Sequence, residues 1–250
     1  MEYVDILGIK ISKVSYESAI EVVEGFLVDE KKHQIVTPNP EFIVLAQTDR
    51  EFREILNRAD LAIPDGVGLR METTVTGTDF MIRLCGLAAK KGYSVFLLGG
   101  RGGVAEEAAK RLKEWFANLN IVGTYEGDPE TVPSVFQAVP SSARGGLNSR
   151  AKFPIDFLFV AYGAPKQEKW IAKNLFKIPV KVAMGVGGAF DFIAGRRRRA
   201  PKILRRLGLE WFWRLIQEPR RFPRILNATI KFPLLVFLHK LGKRSTKRSK

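Results

Sequence analysis

Thr37-Pro38-Asn39-Pro40-Glu41-Phe42 follows the strand-like run His33-Gln34-Ile35-Val36 and leads into a helix-like stretch. Pro64-Asp65-Gly66 repeats that arrangement after Leu61-Ala62-Ile63. Each string puts polar side chains where an apolar run stops. In an open α/β sheet, the carboxyl ends of neighbouring strands are where ligands bind. A threonine hydroxyl (Thr37), an amide (Asn39) and a carboxylate (Asp65) delivered to one edge make an acid/base and hydrogen-bonding set. Either string alone also reads as turn chemistry, with Asn39 and Asp65 bonding their own backbone. Found twice in the same strand-to-helix setting, the pair points to a site.

Outward from these turns, strands and helices alternate along the chain. A strand over Val4–Ile9 precedes helical spacing in Ser15–Val28, where Ala19, Val22, Val23 and Phe26 share a face. Gln34–Val36 and Leu61–Ile63 read as strands, with one helix over Glu41–Asn57 between them and another near Val67–Glu72. Asp79–Lys91 is helical, Ser94–Leu98 a buried-type strand, Val104–Asn118 a helix and Ile121–Gly123 a short strand. Asp156–Val160 and Val180–Met184 are further strands, separated by a helix over Pro165–Asn174. Pro133–Lys152 is the least regular stretch and reads as a surface loop with a helix at its start. The alternation predicts an α/β protein with a mainly parallel sheet and helices on both faces.

Composition fits one substantial α/β domain, or a domain plus an appendage: 250 residues, 46% hydrophobic, with 22 Gly and 13 Pro. The single cysteine, Cys85, excludes an internal disulfide and fits a reducing compartment. The opening residues lack the basic and long apolar regions of a secretory signal. Charge is unevenly placed. Of 41 Lys and Arg residues, 18 lie in Arg196–Lys250, against only Glu210 and Glu218 among 26 acidic residues. Residues 1–195 therefore form a near-neutral body, and residues 196–250 a basic amphipathic helical appendage suited to a polyanion, either nucleic acid or an anionic membrane surface. Trp211, Phe212, Trp213, Leu215, Ile216, Phe222, Ile225 and Leu226, interleaved with arginines, suit a bilayer interface better than a phosphate groove. The apolar run Phe232–Leu238 is far shorter than the roughly 20 residues a membrane span needs.

Three further strand ends carry candidate binding residues. Gly99 and Gly100 open a glycine-rich strand-to-helix turn that could point N–H groups at phosphate, although the string is not G-x-G-x-x-G. Tyr162 ends a strand, Gly163 lets the backbone turn, and Lys166, Gln167 and Glu168 stand at a helix N-terminus beside Pro165. They could hold phosphate or sugar hydroxyls, or be an ordinary capped helix start. Gly185, Gly187 and Gly188 permit close approach of a ligand, and Asp191 could accept hydrogen bonds from a base or ribose, or serve as a helix N-terminal charge. His33 and His239 are isolated, and no Cys/His cluster or D-x-D pair offers metal-ligand spacing.

In order, TPNPEF, PDGVGLR, FLLGG, YGAPKQEKWI, GVGGAFDFIAG and RAPKILRRLGLEWFWRLIQEPRRFPR resemble the WecG/TagA/CpsF glycosyltransferases, over Val4–Arg224. The resemblance implies a Rossmann-like body, a UDP-sugar donor, a polyprenyl-diphosphate-linked acceptor, and inverting transfer without a metal or other cofactor. By motif match Asp65 would be the general base, Thr37 and Asn39 would lie in the active site, and the tail arginines Arg214, Arg221 and Arg224 would complete it. The sequence looks closest to the branch that moves N-acetylmannosamine from UDP-ManNAc to GlcNAc-diphospho-undecaprenol, in β-1,4 linkage, for the wall teichoic acid linkage unit. UDP-ManNAc uronic acid or UDP-glucose as donor is the alternative within the family. A nucleotide-binding module with a nucleic-acid-binding tail is the alternative outside it. The implied location is peripheral, on the inner face of the cell membrane, with a homo-oligomer left open.

Overall fold

Apolar runs too hydrophobic for a half-exposed sheet need cover on both faces, which parallel packing with crossover helices provides. The computed structural model of the chain describes residues 1–65, 69, 75–136, 154–197, 200, 201, 204, 210–217 and 222–248. Its main sheet contains β3 (His33–Val36), β4 (Leu61–Ala62), β5 (Ser94–Gly99), β6 (Asn120–Tyr125), β7 (Ile155–Ala161) and β8 (Val180–Gly185), in the order β4-β3-β8-β7-β5-β6. Every neighbouring pair is parallel. From the middle of the sheet the chain steps outward both ways, β3 to β4 at one edge and β5 to β6 at the other, as doubly wound sheets do.

Three apolar clusters hold the layers. On one face α1 (Tyr16–Val28), α4 (Gly77–Lys91), α5 (Val104–Trp115) and α7 (Ala189–Ile193) bury Val23, Phe80, Leu84, Cys85, Leu112 and Phe190 against the strands. On the other, α6 (Lys166–Asn174) buries Trp170 and Ile171 beside Phe136 of a short 3-10 turn, Ser134–Phe136. A third cluster joins Ile9 and Ile11 to α2 (Pro40–Leu45) and α3 (Arg50–Arg58), and it includes Phe232 of the C-terminal helix. That helix runs as α9 (Phe222–Leu226), a π-helical turn (Asn227–Lys231) and α10 (Phe232–Arg248), after α8 (Glu210–Gln217).

Two sequence expectations are corrected. The opening segment is a hairpin, β1 (Tyr3–Ile6) paired antiparallel with β2 (Ile9–Ser12), and not one strand. Leu7 and Gly8 turn it with φ of 54° and 79°, the double left-handed geometry of a two-residue hairpin loop, and Asp5 Oδ1 accepts the Gly8 N–H. The helix expected over Glu41–Asn57 is two helices, because Asp49 caps the second by accepting the Phe52 N–H at 3.0 Å. Apart from Leu69, which is buried in the third cluster, the helix expected near Val67–Glu72 lies outside the described residues, as does most of the irregular stretch up to Lys152.

The amino end of the sheet, opposite the candidate site, carries an ionic cluster built around buried His33 and Lys181. His33 stacks on Phe26 with ring centroids 4.0 Å apart, while its Nε2 lies 2.9 Å from Asp29 Oδ2 and its Nδ1 3.3 Å from Asp60 Oδ1. Lys181, almost wholly buried, donates to the Asp29 carboxylate and backbone carbonyl. Burial opposes charge on His33, but the Asp60 and Asp29 carboxylates outweigh it and raise the imidazole above its ordinary value. A raised folded-state value stabilises the fold fully below about pH 6.5 and loses that stabilisation as pH rises through the folded value. We therefore expect wild-type melting temperature to fall more from pH 6 to pH 8.5 than that of His33→Gln, by about 2–4 °C per kcal/mol of stability lost. Parallel pH dependence of the two proteins in calorimetry would count against this cluster.

Candidate active site

All the candidate residues on the body fall at the carboxyl end of the parallel sheet, because each follows a strand that stops there. Thr37 and Asn39 follow β3, Asp65 follows β4, and the two loops are tied by the Asp65 N–H donating to Pro38 O at 2.9 Å. Thr37 is nearly buried. Asn39 is the N-cap of α2, where its Oδ1 accepts the Phe42 N–H at 3.0 Å, so its carbonyl does turn chemistry. Asp65 Oδ1 accepts the N–H of Gly77, first residue of α4, at 3.1 Å. Gly77 also backs onto Thr37: a Cβ there would stand 3.2 Å from Thr37 Cγ2. One helix start thus stands beside the Thr37 side chain and bonds the Asp65 carboxylate.

The next two strands across, β8 and β7, end in glycine loops joined by Gln167. Its Oε1 accepts the N–H groups of Gly163 at 3.1 Å and Gly187 at 3.0 Å, and its Nε2 donates to Glu168 Oε1 at 2.7 Å. Gly185 is required by closeness, since a Cβ there would stand 2.6 Å from Gln167 Nε2 and 2.7 Å from Glu168 Oε1. Both side chains are buried beneath the loops, with Glu168 wholly inaccessible. Burial pushes the Glu168 carboxyl up to about 7 against the lowering effect of the Gln167 hydrogen bond. Its Oε2 has no partner among the described residues. Gln167 and Glu168 are therefore the supports of the loops, while Lys166 beside them is exposed. Tyr162 packs edge-on against Trp170 at 5.9 Å with its hydroxyl enclosed.

Farther along the edge, Gly99 approaches the Ala161 backbone so closely that a Cβ would meet it at 2.9 Å, and Gly100 is backed by Phe190. Arg196 Nη2 donates to Gly102 O at 2.6 Å and pairs with Glu107 through Nε at 2.6 Å. The Arg197 N–H donates to Asp191 O, and its guanidinium lies 3.7 Å from the half-buried Asp191 carboxylate. The first residues past Gly195 thus contact the body.

The appendage reaches the same edge through Arg224, whose Nη2 donates to Ala164 O at 3.0 Å and whose Nε lies 3.2 Å from Glu41 Oε1. Glu41 was not singled out from the sequence, although it stands within the decisive string and in the first turn of α2. Its partner is remote in the chain, so only the fold reveals the pair. Gly77 was missed because its signal, a glycine after Thr76 at a helix start, is common. Arg214 lies on α8, and Arg221 lies outside the described residues.

Comparison with known proteins places nearly the whole chain in a family. The sequence profile described as "Glycosyl transferase WecG/TagA/CpsF family" matches residues 4–246. The N-acetylglucosaminyldiphosphoundecaprenol N-acetyl-beta-D-mannosaminyltransferase of Bacillus subtilis (strain 168) is 31% identical over 238 residues, covering 91% of this chain and 88% of that protein. The protein of the same name from Staphylococcus aureus (strain MRSA252) is 29% identical over 261 residues, covering 99% and 95%. With a parallel α/β sheet, polar residues gathered at its carboxyl edge and a match over nearly its whole length, the chain belongs to the WecG/TagA/CpsF family of glycosyltransferases.

Proposed function

We propose that this enzyme transfers N-acetylmannosamine from UDP-ManNAc to GlcNAc-diphospho-undecaprenol, with inversion, in synthesis of the wall teichoic acid linkage unit. The acceptor and the transferred sugar are inferred from the names of the relatives, and the UDP carrier from the family resemblance. The observation that carries the reading is the seating of Arg224 on Glu41 and Ala164, at the strand-end edge that also holds Asp65 and Thr37. In this reading Asp65 removes the acceptor hydroxyl proton as that oxygen attacks the anomeric carbon, and a positioned base of this kind contributes about 10²–10⁴-fold. As the sugar bond to UDP breaks, negative charge grows on the departing diphosphate. Arginines and backbone N–H groups of the glycine loops supply the compensating field.

The membrane-linked acceptor calls for a protein that works at a lipid surface. Among the described residues no helix is long and apolar enough to cross a membrane. The outer side of the C-terminal helix instead exposes Ile230, Leu234, Phe237, Leu238 and Leu241, while Phe232 is buried toward the body. Residues spaced in this way form one apolar stripe. With Lys231 and Lys240 beside it and further Lys and Arg beyond, it suits an anionic cytoplasmic leaflet.

The test is a screen of UDP-sugars with a short-chain GlcNAc-diphospholipid acceptor, read by mass spectrometry. A product formed from UDP-ManNAc, and not from UDP-glucose or UDP-ManNAc uronic acid, supports the assignment; preference for either of the others replaces the donor. Among the described residues no three His, Cys, Asp or Glu side chains converge to hold a metal. We expect EDTA to leave turnover within about twofold of the untreated enzyme. A strict requirement for Mg²⁺ or Mn²⁺, restored by adding the ion back, would move leaving-group stabilisation from the arginines to a metal.

A further inference from the structure

The first N–H groups of a helix lack partners within it, and an N-cap threonine ordinarily satisfies one with its own hydroxyl. Thr76 stands at the N-cap of α4 and makes no such bond. Its Oγ1 donates to Asp79 Oδ2 at 2.7 Å. The Thr76 N–H donates to the Tyr16 hydroxyl at 3.0 Å, and that hydroxyl lies 3.4 Å from Thr76 Oγ1. At the same helix end Asp65 Oδ1 accepts the Gly77 N–H. Tyr16 is well placed to hold this turn. It is the first residue of α1, whose start is locked by a reciprocal Ser15–Ser18 capping box and whose Ala19 and Val23 are fully buried. Its ring is covered by the Arg83 guanidinium 4.2 Å from the centroid.

We propose that Tyr16 is a positioning residue for the Asp65 carboxylate, its hydroxyl fixing the Thr76–Gly77 turn so that the Gly77 N–H sets the plane of the base. The proposal rests on the reading of Asp65 as the general base. Rotation of a carboxylate about its last torsion is soft, so a directed N–H bond helps to decide where its oxygens point. That N–H belongs to the first residue of a fifteen-residue helix, so it meets the carboxylate from the helix's positive end. Losing the pin costs alignment at the reacting oxygen, where a displacement of about 1 Å is worth up to roughly 10²-fold in rate. Donor binding does not depend on that alignment.

Tyr16→Phe removes only the oxygen and keeps the ring under Arg83. On the full-length enzyme, at a temperature where circular dichroism shows each variant folded, we expect kcat to fall roughly 10- to 100-fold. KM for UDP-ManNAc and calorimetric affinity for UDP should stay within about twofold of wild type. Thr76→Ser, which keeps both the N–H and a hydroxyl, should stay near wild-type kcat. With enzyme in excess and product followed over hours, Tyr16→Phe should add little to the loss already caused by Asp65→Asn. Unchanged kcat in Tyr16→Phe, or equal losses in kcat and UDP affinity, would overturn the proposal. So would a full additional loss in the double variant. If Asp65→Asn is inactive while Tyr16→Phe is normal, the base assignment stands and only the role of Tyr16 fails. Near-wild-type turnover in Asp65→Asn removes both.

Discussion

Asp65→Asn is expected to lower kcat by about 10²–10⁴-fold while leaving the fold and UDP affinity nearly unchanged. The reason lies in what the substitution keeps. An amide oxygen can still accept the Gly77 N–H that Asp65 Oδ1 accepts at 3.1 Å, and the Asp65 N–H to Pro38 bond is a backbone contact. Both bonds at the turn joining β4 to the β3 loop are therefore preserved, and the basicity of the side chain is removed. Steady-state turnover with the short-chain acceptor, beside UDP binding by calorimetry, separates the two. A variant that keeps more than a tenth of wild-type turnover shows that the acceptor proton leaves by another route. A variant that loses UDP binding as strongly as turnover shows that the carboxylate holds the loops rather than the proton.

The carboxyl edge of the sheet was legible because physics repeats itself there. A buried parallel strand must be apolar, and the residue that follows it is the first free to be polar, so Thr37, Asp65 and the glycines after β7 and β8 announce themselves. What the sequence could not convey is which polar atoms the protein keeps for itself. Asn39 caps α2, and Gln167 spends its oxygen on two loop N–H groups, a use as consistent with the string Tyr162–Trp170 as direct contact with a ligand. Leu7-Gly8 between two short apolar runs is a hairpin turn, and Thr48-Asp49 ahead of Glu51 is a helix cap, but the apolar residues on each side of both mimic one continuous element. Pairings between remote segments, such as Glu41 with Arg224 and Tyr16 with Thr76, have no local signal and emerge only from the packing.

Arg224→Ala should reduce kcat by about 10²–10³-fold on a soluble acceptor, the usual effect of removing one donor that stabilises a developing anion. Arg224→Lys should recover little of it, since an ammonium cannot hold Glu41, the Ala164 carbonyl and a diphosphate in one planar fork. Point variants are the sharper test because the appendage is also part of the core. Ending the chain after Arg197 would strip Phe232 from its cluster with Ile9, Phe42, Ile43 and Phe52, costing about 1.5–3 kcal/mol. Such a truncation is expected to fold, to lose nearly all turnover and to leave anionic vesicles, but its inactivity mixes chemistry with exposed apolar surface. Surface binding is better separated by replacing Lys243, Arg244, Lys247 and Arg248 with Ala, each worth roughly 1 kcal/mol near an anionic leaflet. That variant should release vesicles in co-sedimentation and keep its rate on the soluble acceptor, whereas Arg224→Ala should do the reverse. Full activity of Arg224→Ala on the soluble acceptor would leave the appendage as an anchor alone, with the diphosphate charge met entirely by the body's loops.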